Sequence, residues 1–226
     1  MRQMEDFTPQ RRAMITRYKA AGYIKTKRVE EAMLRVPREE FMTQRLREYA
    51  YLDSPSPIPG DGRQTISAPY MYPVTYEPLK LKEGDKFLEV GAGSGYGAAF
   101  ARELVGDKGL VVAIEINEAT YEFALDNLER TGYGDVKLIL GDGTLGYPDG
   151  SPYDAISITA ASPDFPPPLV QQLGSQGRMI APIGESTFFG QDLVLLERAS
   201  NGELTRRTLM QVVYVPLLGE HGWTRR

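Results

Sequence analysis

The sequence predicts an α/β protein: a mostly parallel sheet covered by helices on both faces, closed at its C-terminal end by an antiparallel hairpin and preceded by a helical extension. Two observations carry this prediction. From Lys82 onward, short β-branched runs bounded by Gly, Asp or Pro alternate with helical stretches, the pattern of crossover connections between parallel strands. Near the end, Asn201-Gly202 separates two longer strand-like runs, a strong hairpin signal. The 226 residues, 42% hydrophobic and 25% charged, supply enough apolar side chain for one core. We therefore expect one domain over 1–226, with 1–80 as an N-terminal extension carrying a substrate loop and 81–226 as the sheet-based core.

Along the chain, Thr8-Pro9 reads as a helix start, a cap followed by proline in the first turn, and Gly22 as its stop. Val29, Ala32, Met33 and Val36 stand at i, i+3, i+4 and i+7, the apolar stripe of a second helix that begins near Thr26 and is limited by Pro37. Residues 53–63 are rich in Pro, Gly, Ser and Asp and read as loop. Gln64-Thr-Ile-Ser-Ala-Pro69 emerges from it as a short extended piece, followed by an aromatic segment that Pro73 and Pro78 break. Its Tyr70, Tyr72 and Tyr76 are expected to pack the N-terminal helices on the sheet. Core strands are predicted at 86–90, 110–114, 136–140, 153–158, 178–182, 191–198 and 203–215, with helices at 95–104, 118–130 and 167–173.

Composition excludes several classes of function. Lys and Arg number 26 against 30 Asp and Glu, a formal charge of −4, and the pI is near 5.3; phosphate backbones are bound by clustered cations. Arg206-Arg207 and Arg225-Arg226 are too few to form such a patch. The absence of cysteine removes disulfides, thiolate zinc sites, iron–sulfur clusters and a cysteine nucleophile. The lone histidine, His221, removes multi-histidine metal sites and reads as a surface residue. No run approaches the ~18 apolar residues of a membrane helix, and the first thirty residues have no apolar core. The expectation is a soluble, cytoplasmic chain without membrane, nucleic-acid or metal partners.

Leu88-Glu-Val-Gly-Ala-Gly-Ser-Gly-Tyr96 places Gly91, Gly93 and Gly95 at the end of the first core strand, where backbone passes close to a ligand with no Cβ in the way. Alone, this turn also fits a strand–helix connection that binds nothing. A dinucleotide site prefers Gly-x-Gly-x-x-Gly, with a helix N-terminus aimed at pyrophosphate. Here the third glycine comes one residue early and Glu89 precedes the turn. A carboxylate there repels a pyrophosphate and suits a ligand bearing an ammonium group, which points to S-adenosylmethionine. Glu115 ends the second strand, 20 residues past Gly95, where an acid accepts from ribose hydroxyls. Asp142, between Gly141 and Gly143, ends the third strand and can accept from an adenine amino group. Three acids at consecutive strand ends favour a ligand, because open parallel sheets bind at that edge.

These residues resemble the protein-L-isoaspartate O-methyltransferase family. The match runs from about Arg28 to Leu218 and includes Val-Pro-Arg-Glu-Glu-Phe41, Gln-Thr-Ile-Ser-Ala-Pro69, the glycine turn, Gly-Asp-Gly143, Pro-Tyr-Asp-Ala-Ile156, Thr-Ala-Ala161 and Val-Pro-Leu217. Many methyltransferases share the glycine turn; the first two motifs make the resemblance specific. It implies a class I, Rossmann-like, seven-stranded methyltransferase. Such an enzyme uses S-adenosylmethionine, releases S-adenosylhomocysteine and esterifies the free carboxyl of L-isoaspartyl, and more weakly D-aspartyl, residues in damaged proteins and peptides. The ester then closes to a succinimide that reopens partly as normal aspartate. By the same resemblance Ser67 takes the active-site serine position, and Gln64, Thr65 and Ile66 form the loop over the donor. Glu115 and Asp142 take the positions of the cofactor acids, and Gly91, Gly93 and Gly95 match the turn. Tyr70 stands where many members have histidine, and the tail after Leu217 follows the family poorly, so no contact is carried past it.

Methyl transfer to a carboxylate needs no general base, because an acid of pKa about 4 is already ionised at neutral pH. Ser67 is expected to orient that carboxylate by donating its hydroxyl; without the resemblance, it reads more simply as a hydroxyl satisfying a turn before Pro69. An extended substrate is expected to bond to main chain near Val215, Pro216 and Leu217 and along 64–69. Two alternatives remain: a nucleic-acid methyltransferase, disfavoured by Thr159-Ala-Ala-Ser-Pro163 where an Asn/Asp-Pro-Pro-aromatic loop is wanted, and a module that binds S-adenosylmethionine without catalysis.

Overall fold

The computed structural model describes residues 6–185 and 190–223; Arg225-Arg226 lies outside them. Helix α1 spans Thr8–Ala20 with Pro9 in its first turn; Phe7 is its N-cap, and the carboxylate of Asp6 just before it accepts from the Thr8 N–H at 2.9 Å. Thr8 therefore lies inside the helix rather than capping it. Helix α2, Lys27–Arg35, is capped by Thr26 as its sequence implies and buries Val29, Ala32 and Met33. Two short 3₁₀ turns, Arg38–Phe41 and Gln44–Tyr49, lead into the loop.

Helix α3, Met71–Leu79, corrects the expectation of a broken aromatic segment. Pro73 occupies the first turn, where a backbone N–H has no helical partner in any case, and Pro78 falls in the last turn. Tyr72 and Tyr76 pack there against Tyr96 and Phe100, with ring centroids 4.5 and 4.8 Å apart respectively.

Seven strands form one sheet: β1 Lys86–Val90, β2 Leu110–Glu115, β3 Lys137–Leu140, β4 Tyr153–Ile158, β5 Leu173–Ile183, β6 Gln191–Arg198 and β7 Leu204–Val212. Their order is β3-β2-β1-β4-β5-β6-β7; the first five run parallel, and β6 and β7 are each antiparallel to the preceding neighbour. The expected parallel sheet with its C-terminal hairpin is thus observed. Strand β5 starts five residues earlier than predicted because a register shift against β4 absorbs the glycine-containing segment 174–177. Strand β7 stops at Val212, and 213–217 turns away to meet Ala161. Helices α4 (Tyr96–Val105), α5 (Glu118–Thr131) and α6 (Pro167–Gln172) are the crossovers.

The sheet separates two apolar clusters. One joins its α1–α4 face to residues such as Met14, Met33, Phe41 and Phe100; the other gathers Val90, Ile114, Tyr153, Ile158 and Leu169. Among the described residues, no helix is long and apolar enough to cross a membrane.

Gly95 is the N-cap of α4 at φ 83°. A Cβ there would lie 3.0 Å from Leu128 Cγ and 3.3 Å from the Ala124 carbonyl of α5. Gly95→Ala combines a left-handed backbone cost with this contact, so it should destabilise the fold by about 2 kcal/mol in chemical denaturation.

Candidate active site

Three spaces meet at the carboxyl edge of the sheet. A cleft over the glycine turn is lined by Gln64, Thr65, Gly91, Gly93, Glu115 and Gly143, with 215–218 on its far side. Behind the turn lies a cavity of about 60 Å³, walled by Tyr72, Tyr76, Glu89, Ser157 and Tyr214 among others. A wide groove of about 680 Å³ runs outside, past Arg63, Ser67, Tyr70 and 211–216. Thr65 and Thr159 line all three, and Ser67 lines both cavity and groove. Thr159 was not singled out from the sequence; its hydroxyl donates to the Gly91 carbonyl at 2.6 Å and so fixes the floor of the turn.

Glu115 is buried at the end of β2 and accepts three backbone N–H groups, from Gly93, Ile116 and Asn117, each at 3.0 Å. Burial raises its pKa against those bonds. Gly91 and Gly93 both have positive φ, and a Cβ on Gly93 would meet nothing closer than 3.9 Å, so the space above the turn is open to a ligand. Gly95 does not line the cleft; it serves helix packing. Asp142 also stands outside the cleft lining, which Gly143 joins. Its Oδ1 accepts from the Thr144 N–H and hydroxyl at 2.8 and 2.7 Å, and its Oδ2 from the Glu220 N–H at 2.7 Å.

Glu89 lies behind the turn rather than over it. Its Oε1 is 3.4 Å from the Tyr76 hydroxyl, which donates to the Gly97 carbonyl at 2.7 Å, and its Oε2 is buried without a hydrogen-bond partner among the described residues. Burial pushes its pKa up to about 8, outweighing the contacts with Tyr76 and the Ala98 N–H. Gly97 makes this possible, since a Cβ there would fall 2.0 Å from Glu89 Oε1.

The serine loop is held from the N-terminal extension. Thr65–Ile66 pairs antiparallel with Ser56–Pro57, and the Thr120 hydroxyl of α5 donates to the Pro59 carbonyl at 2.8 Å. Gln64 folds its Oε1 back to accept from Asp61 N–H at 2.9 Å, and Ile66 is buried. Arg38, fully buried, donates to the Ser67 carbonyl at 2.9 Å and the Ala50 carbonyl at 2.6 Å. Its neighbours in the Val-Pro-Arg-Glu-Glu-Phe motif are also engaged: Glu39 with Arg11 and Tyr51, Glu40 with Arg47 and Arg130, and Phe41 edge-on to Tyr96. That motif is a bracket under Ser67, a role its sequence does not show.

At the other wall, the Val215 carbonyl accepts from Ala161 N–H at 2.7 Å, and Leu217 N–H donates to the Ala161 carbonyl at 2.8 Å. These two main-chain groups are therefore spent within the protein. The tail, carried no further than Leu217 by sequence, continues across the edge: His221 N–H donates to the Thr144 hydroxyl at 3.2 Å and the Trp223 indole to the Ala161 carbonyl at 2.9 Å. Among the described residues, no group of three or more His, Asp or Glu side chains is arranged to hold a metal ion.

Sheet order, glycine turn and acids at successive strand ends define a class I S-adenosylmethionine-dependent methyltransferase. The comparisons with known proteins narrow this. The family model for protein-L-isoaspartate(D-aspartate) O-methyltransferase matches residues 9–222, and the chain belongs to that family. It is 47% identical over 218 residues to the protein-L-isoaspartate O-methyltransferase of Methanopyrus kandleri, covering 96% of this chain and 95% of that one. To the Hyperthermus butylicus enzyme of the same name it is 46% identical over 230 residues, covering 98% and 94%. Among solved structures, a protein-L-isoaspartate O-methyltransferase superposes with TM-score 0.82 at 31% identity, over 94% of this chain and 67% of that one. A Plasmodium falciparum structure of the family, in complex with S-adenosyl-L-homocysteine, gives 0.81 at 25% identity, over 95% and 99%.

The burial of Glu89 makes a prediction of its own. Between its ordinary value of 4.5 and about 8 the unfolded chain has lost a proton that the folded, ligand-free chain keeps. Stability therefore falls as pH rises through that window, by up to the order of 5 kcal/mol for this group. Glu89→Gln should flatten the decline, measured by urea unfolding across the window.

Proposed function

We propose that this chain, as one methyltransferase domain, repairs damaged proteins in the cytoplasm by esterifying the free carboxyl of L-isoaspartyl residues at the junction of cleft and groove. The single observation supporting this reading is the junction itself. Thr65 and Thr159 stand where the cleft over the glycine turn meets a groove wide enough for an extended peptide, and Ser67 borders that groove and the cavity beside it.

The donor set suits S-adenosylmethionine. Gly93 leaves the turn open, Gly91 makes room for the Thr159 hydroxyl beneath it, Gln64, Thr65 and Ile66 lie across it, and Gly143 closes the edge. A carboxylate offers about four acceptor positions, of which Glu115 and Asp142 each use three within the protein. Asp142 keeps one for an adenine amino group. Glu115 takes both ribose hydroxyls by giving up the Gly93 N–H. The unpartnered Oε2 of Glu89, in the cavity behind the turn, is open to an ammonium group reaching in from the cleft, whose charge would draw off the proton that the ligand-free acid keeps. When bound, the sulfonium would supply its methyl to a carboxylate oxygen, the S–C bond breaking as the O–C bond forms and the neutral thioether S-adenosylhomocysteine leaving.

The protein's part is positional. The substrate carboxylate is ionised already, so no residue removes a proton. Ser67 donates its hydroxyl to that carboxylate, and Arg38 fixes the Ser67 backbone from beneath. Burial raises the pKa of the Tyr214 phenol, which contacts the Ser67 hydroxyl and orients it. Such positioning contributes up to roughly 7–11 kcal/mol when the reacting atoms are aligned. With the main-chain groups of Val215 and Leu217 spent on Ala161 and the Tyr214 N–H on the Gln191 side chain, the substrate backbone bonds to the free edge nearer 211–213, and Val215, Pro216 and Leu217 contribute contact surface.

Methyl-ester release should be observed with an isoaspartyl peptide and fall to background with its aspartyl twin; equal release from both would sink this reading. Ser67→Ala should lower kcat by about tenfold, the loss of one charge-assisted hydrogen bond. Donor affinity, read by calorimetry, should stay unchanged.

A further inference from the structure

Strand β7 is the last strand of the sheet, hydrogen-bonded on one side to β6 alone. Successive residues of a strand point to opposite faces, so consecutive residues border one space only where that space lies along the strand's edge. Gln211 and Val212, the last residues of the strand, border the active-site groove together with the run 213–216 that follows them and Gly190 beside them. Arg207, Thr208, Leu209 and Met210 likewise border a second groove of about 610 Å³. Leu209 is an extra residue there, since Leu193 pairs with Met210 and Val194 with Thr208. Helix α3 forms the opposite wall of both, with Met71 in the first and Pro73, Val74, Glu77 and Pro78 in the second. The two are successive stretches of one edge.

The second stretch is basic. Lys25, Lys80 and Arg207 line it, all exposed, and none forms an ion pair among the described residues. Its one acid, Glu77, is half-buried and engaged by backbone, accepting from the Lys25 and Thr26 N–H groups at 2.7 and 2.8 Å. Tyr23, Val74 and Met210 add partly buried apolar surface to its lining. From Val215 to Arg207 an extended chain spans about 26 Å at ~3.3 Å per residue.

We infer that this basic stretch is an exosite for an acidic segment of the substrate polypeptide, about eight residues from the isoaspartyl residue and laid along the free edge of β7. Continuity with the reactive groove and three cations without acidic partners select that occupant; the inference rests on the groove reading above. Exposed ion pairs are individually weak and screened by salt, so the exosite tunes KM and leaves kcat alone.

The test uses isoaspartyl peptides sharing one core. They are compared untailed, with a Glu-rich extension of about ten residues, and with a Gln-rich one, the extension placed on either side of the core. At low ionic strength the Glu-rich tail on one side should lower KM about fivefold relative to the Gln-rich tail, with kcat equal. The advantage should vanish in the Lys25→Gln/Lys80→Gln/Arg207→Gln variant and in high salt, while the untailed core reacts alike with both enzymes. Equal KM for both tails on both sides, or an advantage that survives in the variant, overturns the exosite. If the untailed core is not methylated at all, the catalytic reading fails separately. Anisotropy of the labelled tailed peptides, wild type against variant, then decides the exosite by itself.

Discussion

The buried guanidinium of Arg38 is the contact on which the site depends. Among the described residues it has no acid partner; its hydrogen bonds go to the carbonyls of Ala50 and Ser67 and the sulfur of Met42, and Tyr18, Tyr51, Tyr72 and Tyr96 lie near it. Removing such a charge from water is costly, and burial lowers its pKa accordingly. Arginine nevertheless stays protonated in proteins, so the cost is met by the carbonyls aligned on it. The same side chain therefore links the first helices, the loop after them and the backbone of Ser67. Lysine in its place has no planar fork with which to reach two carbonyls in different directions.

Around that anchor the site is assembled from parts distant in sequence. The glycine turn and the acids of β1 and β2 belong to the sheet and are set by strand register. The serine loop hangs from the N-terminal extension, and the far wall is the run after β7, pinned at Ala161. Neither flank forms a cleft alone, which is why a sheet common to many methyltransferases can be specialised by what is laid on its edge.

Much of this was legible in the residues. The strands of the core read correctly because parallel strands covered on both faces are short continuous apolar runs. Glu115 was legible for its place at a strand end, and the glycine turn for its spacing. Helix α3 was not, because proline signals breakage regardless of position, whereas in a first turn it costs nothing. The bulge in β5 was hidden by Gly174 and Gly177, which read as loop. Arg38 looks like any charged residue in a charged motif, and only three-dimensional burial distinguishes it. The same holds for Glu89: its place before the turn was plain, but the proton it keeps comes from the cavity behind it. The tail after Leu217 acts through backbone N–H groups and one indole, and neither leaves a periodic trace in the sequence.

Thr65 and Thr159 border every compartment of the site. In the proposed arrangement donor and acceptor occupy separate chambers and communicate through a window framed by two small hydroxyl side chains. The width of that window, set by side-chain volume at two positions, governs passage of a group no larger than a methyl while the bulk of each reactant stays on its own side. The enzyme thereby resembles a partition with a hatch: transfer depends on the size of the opening, and recognition on rooms that never merge.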